Sequence, residues 1–167
     1  MAPLCRDCNS GRRRRLDGAM KSTGRLDHGC IMEIHRHAFY SFDLDEQASL
    51  LSFNWTEKSA GMTDDDYKQA LREYGRLIVQ LRARRALIDL RKFRYRLGDA
   101  EGLGSWWANE IAPLYNRAGL EKFAFVLPEG EQPPPYETPA EPGEGQKFLT
   151  KQFGTKQGAI SWLTAGS

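Results

Sequence analysis

The stretch from Met62 to Leu90, MTDDDYKQALREYGRLIVQLRARRALIDL, constrains the fold more than any other part of the chain. It opens with a helix signal. Thr63 is a natural cap, and Asp66, three residues on, completes a capping box. Asp64, Asp65 and Asp66 also suit the positive end of a helix dipole. Tyr67, Ala70, Leu71, Tyr74, Leu77, Ile78 and Leu81 recur at three- and four-residue spacing and build one apolar face. Gly75 interrupts that face at a cost of about 1 kcal/mol relative to Ala, so close packing is its expected use. The helix is followed at once by Ala86-Leu87-Ile88-Asp89-Leu90, an apolar run bounded by charges. Such a run reads as a strand buried on both faces, hence central and parallel.

The flanking sequence repeats the alternation. Phe39–Asp43 and Ala48–Trp55 read as two strands joined by a turn around Asp45 and Glu46, with Leu51, Phe53 and Trp55 at a period of two. A second helix is expected from about Asp99 to Ala118, ended by Gly119. Pro113 inside it removes the N–H that would bond the Asn109 carbonyl, which predicts a kink. Phe123–Leu127 is another apolar strand. Residues 128–146 are rich in proline and glycine and read as a loop with polyproline character. Lys147–Phe153 reads as a last strand, and Thr155 caps a short final helix carrying Ile160, Trp162 and Leu163. Strands alternating with helices require right-handed crossovers. The expected fold is therefore α/β: a mostly parallel sheet of four to five strands, an N-terminal antiparallel hairpin, and helices packed on the sheet.

Charge divides the chain unevenly. Residues 1–31 carry seven of the 24 Lys and Arg and three of the 22 Asp and Glu, so this stretch is +4 and the remainder −2. The first 31 residues lack hydrophobic period and read as a disordered basic tail ahead of a single domain at 32–167. The ordered pattern starts at Met32, which points to a tail that is not native and to a start at Met32 or Met20. Because the excess charge lies in the tail, the folded domain is not expected to bind nucleic acid. No apolar run reaches the roughly 20 residues of a transmembrane span, and the N-terminus has no apolar core of a signal peptide. All three cysteines lie in the tail, at Cys5, Cys8 and Cys30. A body without cysteine fits a reducing, cytoplasmic setting. Cys5-x2-Cys8 with His28-x-Cys30 is a poor zinc pattern, because its second pair is too tight. No metal or cofactor is expected.

Three motifs, LIDLRKF, IAPLYNRAG leading into FAFVLPE, and the terminal AISWL, resemble the STAS-like (SpoIIAA-like) family over about Met32 to Leu163. That resemblance implies a sheet covered by helices. It also implies a small bacterial, non-enzymatic regulatory or protein-interaction module. Family antagonists carry a phosphorylated serine where the second helix starts. Residues 97–102 of this chain, LGDAEG, hold neither Ser nor Thr, so phosphoswitching is not carried over.

Candidate site residues cluster late in the central strand and in the second helix. Ligands of open α/β sheets bind beyond the carboxyl ends of strands, which singles out Asp89 and the segment to Asp99, with Arg91, Arg94 and Arg96 supplying charge. An ion pair between Asp89 and a neighbouring arginine, and a helix cap at Asp99, are the plainer readings. Gly98, Gly102 and Gly104 have the wrong spacing for a dinucleotide loop. Trp106 and Trp107 fall on the broad inner face of the second helix, as core or as the wall of an apolar groove. At 100° per residue Glu110 points into the same face, where it either serves a site or reaches an arginine. His35 and His37 lack a third ligand. Three functions remain open at this point: first a module that binds a protein partner or self-associates, second a carrier of a small hydrophobic or lipid ligand between the sheet and the second helix, and third an enzyme using Asp89 or Glu110.

Overall fold

The computed structural model describes residues 30–96, 98, 100–131 and 147–166. The expected tail up to residue 29, the capping role of Asp99 and nearly all of the proline-rich loop lie outside them. The elements run β1 (Ile31–Arg36), β2 (Tyr40–Asp45), β3 (Leu50–Trp55), α1 (Asp64–Leu81), β4 (Arg85–Asp89), α2 (Ala100–Trp106), α3 (Ala112–Ala118), β5 (Lys122–Val126), β6 (Leu149–Phe153) and α4 (Lys156–Thr164). A 3-10 turn at Glu57–Gly61 leads into α1, and a π turn at Trp107–Ile111 joins α2 to α3.

The fold is α/β, with six strands among the described residues rather than four or five. All six form one sheet in the order β1-β2-β3-β4-β5-β6. β1, β2 and β3 are antiparallel, and β3 to β6 are parallel. The expected hairpin is thus the second half of a three-stranded meander. β1 escapes a period-two reading because its register shifts between Glu33 and His35, which breaks the alternation of inward and outward residues.

The sheet has two unlike faces. Successive right-handed crossovers in one direction put α1 and the α2–α3 pair on the same face. There they pack on Phe42, Phe53, Ala86, Ile88, Phe123 and Phe125, all buried. The expected devices of α1 are present. Thr63 accepts from the Asp66 N–H, and the Asp66 carboxylate accepts from the Thr63 N–H in return. Gly75 lets α3 approach closely: a Cβ there would lie 2.8 Å from Leu114 Cδ1. The Tyr74 hydroxyl reaches through to the sheet, 2.8 Å from the Leu51 carbonyl and 3.1 Å from that of Leu87, and accepts from the Leu87 N–H at 3.2 Å. It ties β3 to β4 beneath the helix.

The opposite face belongs to α4, whose Ala159 and Leu163 cover Leu50, Leu87, Ala124 and Val126. Among the described elements α4 is the one packed on this face, against β4, β5 and β6. The pleat turns Ser41, Asp43, Ser52 and Asn54 of β2 and β3 to this side. Their strands carry the alternation, since Phe42, Leu44, Leu51 and Phe53 go to the helical core. The half-sheet β1–β3 is therefore apolar toward the helices and polar toward an open side.

Candidate functional site

The open half of the α4 face ends in a groove at the carboxyl ends of β3 and β4. Its volume is about 1010 Å³, and its walls include Arg36, His37, Ser41, Asn54, Lys58 and Asp89. Arg91, Lys92 and Glu57 complete its rim. The crossover to α1 supplies the Glu57–Lys58 wall, the β1–β2 connection supplies His37, and the turn after β4 supplies Arg91 and Lys92.

Asp89 stands at the centre of a polar network. It is the parallel partner of Asn54. Its side chain, 13% exposed, receives Arg91 through two bonds, Nε to Oδ1 at 2.9 Å and Nη2 to Oδ2 at 2.6 Å. The Arg91 backbone N–H adds a third at 3.2 Å. Burial pushes the Asp89 carboxyl up, but these bonds and the Arg91 and Lys156 charges outweigh it and hold it below the usual carboxylate range. Next to it, the Asn54 amide donates to Asp43 at 2.8 Å and accepts from Lys156 Nζ at 2.9 Å. Lys156, the first residue of α4, is thereby anchored to the rim of the open half.

The structure separates the residues singled out in the sequence. Asp89 was expected to share a site with the start of the second helix. Alternation along β4 places it with Leu87 on the α4 face, while Ile88 faces α1 and the α2–α3 pair. The sheet lies between Asp89 and the tryptophans. Arg94 staples the loop after β4. Its N–H donates to the buried Ser59 hydroxyl at 2.8 Å, and its Nη1 donates to the Arg91 and Phe93 carbonyls at 3.1 and 3.0 Å. Arg96 is exposed.

Trp106 and Trp107 part company. Trp107 is 6% exposed and packs edge-on against Tyr115, at 6.1 Å between ring centroids. With Leu103, Ile111 and Tyr115 it fills the space between the sheet and the helix, where a carrier would keep its ligand. Trp106 lies at the surface of α1, with the Arg72 guanidinium 5.3 Å and Lys68 Nζ 5.7 Å from its ring centroid. Glu110 does not point into the core. It is 46% exposed and accepts from Arg72 Nε at 2.9 Å. That bond and the positive charge of Arg72 hold its carboxyl low. The reason for the misplaced Glu110 is the π turn. The Ala112 N–H bonds the Trp107 carbonyl, one residue further back than in an α-helix, and this rotates the inner face. Pro113, lacking an N–H, is what favours the wider turn. At the expected kink the structure shows this π turn.

His35 stacks on Tyr40 and Phe42, and His37 on Tyr40, so both join an aromatic edge. No group of three metal-ligating side chains occurs among the described residues. Cys30 is disulfide-bonded. Cys5, Cys8 and His28 lie outside the described residues. No helix among the described residues is long and apolar enough to cross a membrane.

Sequence reasoning missed Asn54, Lys58, Lys92 and Lys156 as site residues. Asn54 could have been found, since the polar positions of the Leu51-Phe53-Trp55 strand must share one face. Lys156 could not, because its link to Asn54 spans 102 positions in the chain.

No protein-family model, curated protein or solved structure matches the chain.

Proposed function

We propose that this chain is a non-enzymatic, regulatory protein-interaction module of STAS-like type, and that its partner docks on the open half of the α4 face. The observation that carries the reading is the asymmetry of the β1–β3 half-sheet. One side is sealed by α1, while the other is met by α4 at its β3 edge, through Leu50 and the Lys156–Asn54 bond, and ends in the groove beside Asp89. A polar, ordered, concave surface on a rigid sheet suits a specific contact with another protein or with a second copy of the chain. Asp89 is paired with Arg91 and Glu33 with Arg36, while Lys58, Lys92 and Glu57 have no described partner. Paired groups favour recognition over proton transfer, because a general acid or base needs a group free to exchange its proton. The carrier reading is set aside because Leu103, Trp107, Ile111 and Tyr115 occupy the space between sheet and second helix.

The test is site-specific photocrosslinking of the full chain in cells. A crosslinking residue replaces Ser41 on the groove wall, and, as control, Arg76 on the exposed side of α1. A discrete adduct from position 41 that is absent from position 76 supports docking on the open face, whether the adduct is another protein or a second copy. Equal adducts from both positions, or none from position 41, refute it.

A further inference from the structure

The groove's charge indicates what kind of partner fits it, given the docking face proposed above. Four cations, Arg36, Lys58, Arg91 and Lys92, line it against two carboxylates, Glu57 and Asp89. Two of the cations are already committed. Arg91 is bound to Asp89, and Arg36 is bound to Glu33 through Nε at 2.8 Å. Lys58 and Lys92 make no hydrogen bond or ion pair with any described residue. They come from different elements, the 3-10 turn before α1 and the turn after β4, yet line one concavity. His37 adds a directed donor. Its Nδ1 accepts from the Phe39 N–H at 3.3 Å, so in the neutral ring the proton sits on Nε2. Glu57 is the one carboxylate of the lining without a described partner.

We infer that the groove takes an extended acidic segment of a partner protein, with Lys58 and Lys92 as its charge contacts and His37 as a hydrogen-bond donor through Nε2. Asp89 does not repel such a segment, because Arg91 and Lys156 offset its charge. The groove is wide and open, at the upper end of the roughly 300–1,000 Å³ of enclosed small-ligand sites, which favours a chain segment over a small anion. Nucleic acid fits less well. Backbone binding needs a longer track of cations and exposed aromatic platforms for the bases. Of the rings lining the groove, Trp55 is 3% exposed and packed into the core, and His37 is stacked on Tyr40, so they form no series of open platforms.

The experiment uses fluorescence anisotropy of the full chain with a labelled hexaglutamate peptide, an oligo-dT strand of equal charge, and hexalysine. Wild-type protein is expected to bind hexaglutamate, more weakly as salt rises, and not hexalysine. Lys58→Glu combined with Lys92→Glu is expected to weaken hexaglutamate binding by about tenfold or more. Arg76→Glu combined with Lys151→Glu changes net charge equally outside the groove and is expected to leave binding within about threefold of wild type. Equal weakening in both double variants overturns the inference, as does absence of hexaglutamate binding by the wild type. Tighter binding of oligo-dT with the same dependence on Lys58 and Lys92 also overturns it, in favour of a nucleic-acid groove. A partner crosslinked at position 41 that is retained by the Lys58→Glu, Lys92→Glu variant overturns the acidic-segment inference alone and leaves the docking face standing.

Discussion

Replacing Tyr74 with Phe isolates a single oxygen at the junction of helix and sheet. The ring is expected to stay where it is, because Phe42, Phe53 and Tyr115 surround it at 5.5, 5.1 and 6.4 Å between centroids. Only the hydroxyl is lost, and with it the bonds to the Leu51 and Leu87 carbonyls and to the Leu87 N–H. The hydroxyl has one proton, so it serves one carbonyl at a time while accepting from the amide. The carbonyls have a second lone pair and tolerate the loss, and the Leu87 N–H keeps the ladder bond to the Leu51 carbonyl that the parallel pairing of Leu51 with Ala86 and of Ser52 with Leu87 requires. What is lost is about one net buried hydrogen bond, about 0.5–1.5 kcal/mol. For a chain of this size each kcal/mol moves the melting temperature by about 2–4 °C, so the expected drop is about 1–6 °C. Urea and thermal unfolding followed by tryptophan fluorescence measure it. Native-state amide exchange at Leu87 supplies the local readout and is expected to speed up in the variant. A loss below about 0.5 kcal/mol with unchanged exchange at Leu87 would refute the assignment of the hydroxyl as the clasp between β3 and β4.

Three further perturbations test other parts of the structure. Gly75→Ala gains about 1 kcal/mol of helix propensity against a contact with the movable end of Leu114, so its net effect is expected to be small. Gly75→Val lacks that escape and is expected to destabilise by about 1–3 kcal/mol in denaturant titration; equal stability of the two variants would show that α1 and α3 are not tightly apposed. Trp107→Ala is expected to cost about 3–5 kcal/mol and Trp106→Ala much less, and the reverse ranking would exchange their assigned environments. Arg91→Ala removes the main influence holding the Asp89 carboxyl low. Asp89 contributes stability above the ordinary carboxylate pKa of about 4, and that contribution is lost as pH falls through its lower folded value. The variant's deficit in urea midpoint is therefore expected at neutral pH and to vanish in acid, and a deficit that is constant with pH would refute the pairing.

The sequence reading located most elements to within one or two residues because its signals were local. A capping box, an apolar face at helical spacing and a glycine stop each depend on neighbours within a turn, and α1, α3 and α4 begin or end where those signals lie. β1 was missed because Ile31–Arg36 carries a bulge, so its side chains do not alternate cleanly. The site was harder. Asp89 was recognised from its place at the end of a central strand, and its Arg91 partner followed from proximity. Which face it uses depends on β4 being sandwiched between two layers, and that is set by residues far along the chain. Glu110 was misplaced for a different reason: a 100° step holds only while the helix stays α, and Pro113 ended that regularity three residues away.

The strictly sequential order of the sheet has a consequence for how the chain is made. Among the described residues no strand is inserted between two earlier ones. As synthesis proceeds, each new strand meets a template edge already formed by its predecessor, and no preformed pairing has to open to admit it. β1 to β3 can assemble as a meander, α1 can seal its apolar side, and β4, β5 and β6 can then be laid down one after another, with α4 closing the second face last. The antiparallel partners of β1–β3 are close in sequence, whereas the partners across β3–β4, β4–β5 and β5–β6 are 35, 37 and 27 positions apart, so each later strand waits on the closure of its own crossover.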